Sequence, residues 1–152
     1  MVSSWRVRRS WMGVLFFLLA CGEGGPTGPD PALEPFVGSW DAVVMTWTGH
    51  APPNVVADVL QFGSFSFSVE PSGQYTARLE VLGNAAPEIG QLSVSGSTLT
   101  LTPSYPVGAP VATATFSFSG ADSLTMEGPG EFDFNLDQVK EAAQLHLELV
   151  RR

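Results

Sequence analysis

Residues 62–82 alternate apolar and polar side chains on both sides of a tight turn, and this pattern limits the chain's possible folds more than any other. Before the turn, Phe65, Phe67 and Val69 interleave with Ser64, Ser66 and Ser68. After it, Tyr75, Ala77, Leu79 and Val81 interleave with Gln74, Thr76, Arg78 and Glu80. A period of two puts each apolar set on one face of a pleated strand and the polar set on the other. The intervening Glu70-Pro71-Ser72-Gly73 suits a type I turn, with Pro71 pre-setting φ and Gly73 free to take a positive one. A two-stranded hairpin is marginal alone. The rest of the chain is therefore expected to close a sheet around its apolar face.

The other segments repeat the pattern. Residues 36–48 form a first strand with apolar side chains on both parities: Trp40, Ala42 and Val44 on one, Val43, Met45 and Trp47 on the other. Such a strand is covered on both faces or changes face at a bulge. Residues 55–60 read as a short helix or an irregular lid, and 83–90 as a turn region. A second hairpin, 91–95 with 98–102, turns at Gly96-Ser97, and 103–110 is a loop containing Tyr105. Strands follow at 111–119, 123–127 and, after Gly128-Pro129-Gly130, at 131–136. Asn135 and Gln138 fit a capping box and basic residues end the segment, so 137–151 reads either as one helix or, the favoured alternative, as a helical turn at 137–142 followed by a strand. Leu145, Leu147 and Leu149 alternate with His146 and Glu148, which favours a last strand at 143–151. Glycine and proline make up 28 of 152 residues and charged residues only 14%. This composition suits a turn-rich β protein and excludes a coiled coil or a charge-driven disordered chain. The expected fold is all-β: a small antiparallel up-and-down barrel of eight or nine strands, with a short helical turn before the last.

The N-terminus has a different logic. Arg6, Arg8 and Arg9 precede the ten-residue apolar run 11–20, WMGVLFFLLA. That run is too short to cross a bilayer, which takes about 20 residues, but has the length of a signal-peptide core. It ends in Leu18-Leu19-Ala20-Cys21, which resembles the lipobox of a bacterial lipoprotein signal peptide. The resemblance implies cleavage before Cys21, a diacylglyceryl group on its sulfur and acylation (palmitate-type) of its amine. Residues 1–20 are then the signal and 21–35 a flexible Gly/Pro tether, with 36–152 as the folded domain. Two or three acyl chains hold a soluble domain on a membrane where one is marginal. The residue after the cysteine is Gly22, not Asp. By the enteric sorting rule, the resemblance then implies a lipid-anchored envelope protein on the outer membrane, facing the periplasm.

Within the domain, Gly38-Ser39-Trp40 resembles the Gly-x-Trp opening of lipocalins and other calycins, and the last strand ends in Arg151-Arg152. The resemblance implies that Arg151 packs across Trp40 to close the bottom of the barrel. It also implies binding of a small apolar ligand such as a lipid or fatty acid. The Thr-Asp-Tyr run of lipocalins is absent.

Phe65, Phe67, Tyr75, Leu79, Phe116, Phe118, Phe132 and Phe134 share the inward parity. An eight-strand barrel either fills its interior with such side chains or holds one small ligand. Parity leaves both outcomes open, and a ligand pocket should add a few convergent polar groups. Interior volume opening near 52–60 or 103–110 would favour binding. A filled barrel with an apolar patch near Trp47 or Tyr105 would favour a structural or protein-interaction module. Arg78 lies on the outward parity. Asp133, Asn135 and Asp137 open like a calcium loop, but its sixth and twelfth positions are Gln138 and Gln144, so they are read as the wet face of a strand. No nucleophile stretch accompanies His50 and His146, and Cys21 is the single cysteine. The expectation is a non-catalytic protein with no cofactor and no metal site. Beyond residue 20, four basic side chains face fifteen acidic ones, a balance of −11 that repels phosphate backbones. Nucleic acid is therefore not an expected partner.

Overall fold

The computed structural model describes residues 30–51, 53–135 and 137–152. The signal segment, Cys21 and residues 22–29 of the tether lie outside the described residues, as does Leu136. Nine strands follow in chain order: β1 (Gly38–Gly49), β2 (Val56–Asp58), β3 (Gly63–Val69), β4 (Gln74–Val81), β5 (Asn84–Ser95), β6 (Thr98–Tyr105), β7 (Ala112–Phe118), β8 (Ser123–Phe132) and β9 (Glu141–Arg151). From β3 to β9 each strand pairs antiparallel with the next, and β1 pairs with both β3 and β9, closing an eight-stranded barrel. The extra strand β2 continues the β3 edge. It pairs with β1 at Thr46–Thr48, whereas β3 pairs at Gly38–Asp41, and a 3-10 turn (Val59–Gln61) joins the two.

A bulge explains the double parity of β1. Ala42 pairs with Leu149 and Val44 with Glu148, so Val43 is left over and lies 52% exposed. Trp40 and Ala42 before the bulge, and Met45 and Trp47 after it, therefore join the same interior cluster. The organising hairpin has the expected turn: Gly73 N–H donates to the Glu70 carbonyl at 2.8 Å, and Gly73 has φ +82°. The last strand is also as expected, with Leu145, Leu147 and Leu149 turned inward.

Other boundaries differ from expectation. Residues 83–90 are not a turn region. The turn is the pair Leu82-Gly83, both at positive φ, and β5 starts at Asn84. Likewise, Gly128-Pro129-Gly130 does not break the chain, because β8 runs through it in register with β9. Close contact explains these internal glycines: a Cβ at Gly130 would lie 2.7 Å from the Trp47 ring, and one at Gly90 would lie 2.7 Å from the Tyr75 ring. No helical turn forms at 137–142 among the described residues. Asp133 instead accepts backbone N–H bonds from Asp137 and Gln138, while Asn135 accepts one from Asp137, and residues 134–135 and 137–138 are bends. This local pairing competes with helix formation. Asp133, Asn135 and Asp137 thus belong to a loop and not to a strand face. The last part of the expected tether is folded as well. Residues 34–36 form a 3-10 turn, and Leu33 and Phe36 are buried against the barrel.

Candidate functional site

The barrel has two unlike ends, and the end where the described chain begins is solid. Phe36 sits edge-on to Phe116 and Phe118, with ring centroids 4.9 and 5.0 Å away. Trp40 is fully buried and donates its indole N–H to the Phe36 carbonyl at 2.8 Å. The Arg151 guanidinium lies 4.2 Å from the Trp40 ring centroid. Its Nη1 donates to the Val37 carbonyl at 2.6 Å, its Nη2 to Pro35 at 3.0 Å and its Nε to Ala121 at 3.2 Å. Gly38 makes room for this arrangement. Its φ is +129°, and a Cβ there would lie 2.6 Å from Arg151 Nη1. Gly38, Trp40 and Arg151 are thus one device closing the barrel base.

Toward the other end, the inward positions of β7 and β8 change from large to small: Ala114 and Ala112 follow Phe118 and Phe116, and Gly128 and Gly130 follow Leu124 and Met126. The result is a cavity of about 490 Å³. That volume lies within the roughly 300–1,000 Å³ of small-molecule sites. Met45, Phe65, Phe67, Leu79, Leu101 and Leu147 supply most of its apolar wall, and Trp47 also lines it. Pro106, in the loop after β6, and Lys140, in the loop before β9, stand at its mouth.

Of the aromatic and leucine residues singled out by parity, Phe65, Phe67 and Leu79 line the cavity. Phe116 and Phe118 belong to the solid base. Tyr75 is fully buried, its ring 5.8 Å from that of Phe67. Phe132 stacks on Trp47 at 5.9 Å and meets Phe134 edge-on at 5.0 Å, making a cluster at the rim. The interior is therefore divided into a packed base, a cavity and an aromatic edge, rather than forming one convergence of rings.

A polar group inside the cavity escaped the sequence reading. Glu88 lines it and accepts the Tyr75 hydroxyl hydrogen bond at 2.7 Å. Burial, and then the Glu88 carboxylate, push the Tyr75 phenol well above its ordinary pKa, so it remains a donor at neutral pH. Extending the parity of Leu92 backward through Gly90 would have placed Glu88 and Ala86 inward. Reading 83–90 as a turn hid that signal.

Arg78, His146 and His50 lie outside the cavity lining. Arg78 lies 3.4 Å from Glu80 on the outer face. His146, between Glu127 at 2.9 Å and Glu148 at 3.1 Å, has its pKa raised, chiefly by the hydrogen bond to Glu127. His50 is exposed. No cluster of three metal-ligating side chains occurs among the described residues. Exposed apolar side chains gather around the mouth, with Leu82, Tyr105, Val107, Val111 and Val139 all in or beside its loops.

No protein-family model and no curated protein matches the chain. Among solved structures, EF1p2_mFAP2b bound to DFHBI aligns with a TM-score of 0.52 at 16% identity, over 80% of this chain and 97% of that one. A redesigned β-barrel, b11L5F_LGL, aligns with a TM-score of 0.49 at 12% identity, over 80% and 95% of the two chains. At such identity the first likeness is one of fold, and it agrees with the strand pairing: the chain is a closed, eight-stranded antiparallel β-barrel with one extra strand.

Proposed function

We propose that this protein is a membrane-tethered lipocalin-like barrel that holds a small, mainly apolar molecule in the bacterial envelope without transforming it. The observation that carries the reading is the apolar cavity of about 490 Å³ at the end opposite the Arg151 clamp. Burying an apolar ligand surface there contributes about 25 cal/mol per Å² removed from water. Pro106 at the mouth puts the opening beside the 103–110 loop, as a binding barrel would require. EF1p2_mFAP2b, a chain of similar fold, is bound to DFHBI, which supports ligand binding by a barrel of this kind. Tethering rests on the basic leader, short apolar core and Leu18-Leu19-Ala20-Cys21 sequence. The leader and Gly22 support export and placement on the outer membrane.

Exposed Tyr105, Val107 and Val111 favour a second reading, a protein-interaction module that uses its rim. Native mass spectrometry of the protein as processed by an expressing bacterial cell, before and after organic extraction, separates the two. Binding predicts an extractable small molecule or saturable one-to-one uptake of an apolar probe. A chain with neither, across several ligand classes, would leave the interaction module. The same spectra test the tether: acyl mass on Cys21 is expected, and an unmodified thiol would refute it.

A further inference from the structure

We propose that the cavity selects ligands that carry a hydrogen-bond donor, best a protonated amine on an apolar body, with the donor seated against Glu88. This rests on the binding reading above and narrows it from any apolar molecule to one chemical class. A carboxylate inside an apolar cavity is costly unless its oxygens are paired. Tyr75 satisfies Oε1 at 2.7 Å, and no other side chain among the described residues is paired with Glu88. The Tyr75 hydroxyl donates its hydrogen to Glu88, so the Tyr75–Glu88 pair presents an acceptor, not a donor, to whatever occupies the cavity. The surrounding wall offers no cation until Lys140 at the mouth.

An amine reaching Glu88 makes a charge-assisted hydrogen bond to a half-buried carboxylate, about twice as strong as one between neutral groups. Phe67 lines the same cavity, so its ring offers a π-face to a cation held there. An inward carboxylate would meet Glu88 as a like charge. A fatty acid is therefore restricted to a pose with its head outward, at Lys140. The acidic balance of the chain, net −8, raises the local concentration of cations in the same direction.

The test compares three probes with one apolar body: 1-naphthylmethylamine, 1-naphthalenemethanol and 1-naphthaleneacetate. Each is titrated by calorimetry into the full-length protein in lipid nanodiscs, with empty nanodiscs as the blank. The amine is expected to bind about tenfold or more tightly than the acetate, with the alcohol between them. Glu88→Gln should lower amine affinity about tenfold while changing that of the alcohol less than about threefold. Tyr75→Phe should retain amine binding, because it leaves the carboxylate in place. Equal affinities for all three probes, or the tightest binding for the acetate, would overturn amine selectivity and leave an apolar cavity that binds without it. Absence of binding by all three would overturn the cavity reading as well. The ranking in the unmodified protein decides the matter even if Glu88→Gln fails to fold.

Discussion

Arg151 joins three parts of the chain that are far apart in sequence: the 3-10 turn before β1 through Pro35 and Val37, the β7–β8 turn through Ala121, and β9 itself. A lysine keeps the charge but not the planar fork that reaches three carbonyls while lying on Trp40. Arg151→Lys should therefore destabilise the barrel by about 1–3 kcal/mol, seen as a lower urea midpoint with little change in slope. The expectation that Arg151 packs across Trp40 comes from the resemblance to the Gly-x-Trp opening and closing arginine of lipocalins. Glu88 was not legible, because its inward orientation depends on β5 continuing through Pro87 and Gly90. His146 carries a weaker effect of known sign. Its pKa is raised in the folded state by Glu127 and Glu148. Its contribution is fully present below the unfolded value of about 6.5 and is lost as pH rises through the folded value. The stability gap between the unmodified protein and His146→Gln should thus narrow from pH 5.5 to pH 8.5 in paired thermal melts. The effect will be small, because this ion pair is solvent-exposed.

Among the elements, strong alternation was readable and strand interruption was misread. Phe65-Ser66-Phe67 and Leu145-His146-Leu147 declare strands directly, whereas Gly128-Pro129-Gly130 looks like punctuation. The physical difference is that those glycines answer to neighbours distant in sequence. Gly130 clears the Trp47 ring, a contact that no local rule contains. The capping-box reading at Asn135 and Gln138 failed for a related reason: Asp133 takes the local N–H groups first. The β4–β5 turn offers a direct test of local chemistry. Its two central residues, Leu82 and Gly83, have φ values of +51° and +80°, the pattern of a type I′ turn. Leucine is a poor choice there, being strained at positive φ and 75% exposed, with little burial to lose. Leu82→Asn should stabilise the protein by about 0.5–1 kcal/mol, read as a Tm higher by a few degrees.

At the scale of the whole molecule, the base and the mouth lie at opposite ends. The described chain begins at the base, where Leu33 and Phe36 are buried, so the proposed tether would leave from the end opposite the cavity. A tether attached there would leave the mouth clear of the point of attachment. A functional cavity leaves room that packing has not used, and Ala77 can measure it. This residue is only 8% exposed, lines the cavity and pairs with Phe67 on one side and Glu88 on the other. In a filled barrel, Ala77→Leu would overpack the core and cost about 1–3 kcal/mol. With a cavity of about 490 Å³ beside it, the added methylenes have somewhere to go, each burying apolar surface. Ala77→Leu should then leave the extracted protein as stable as before, or up to about 2 kcal/mol more stable, while weakening uptake of an apolar probe. Chemical denaturation after organic extraction keeps any bound molecule from adding its own stabilisation to the comparison. A loss of stability with no effect on uptake would mean that the space around Ala77 is packed, and the binding reading would fall with it.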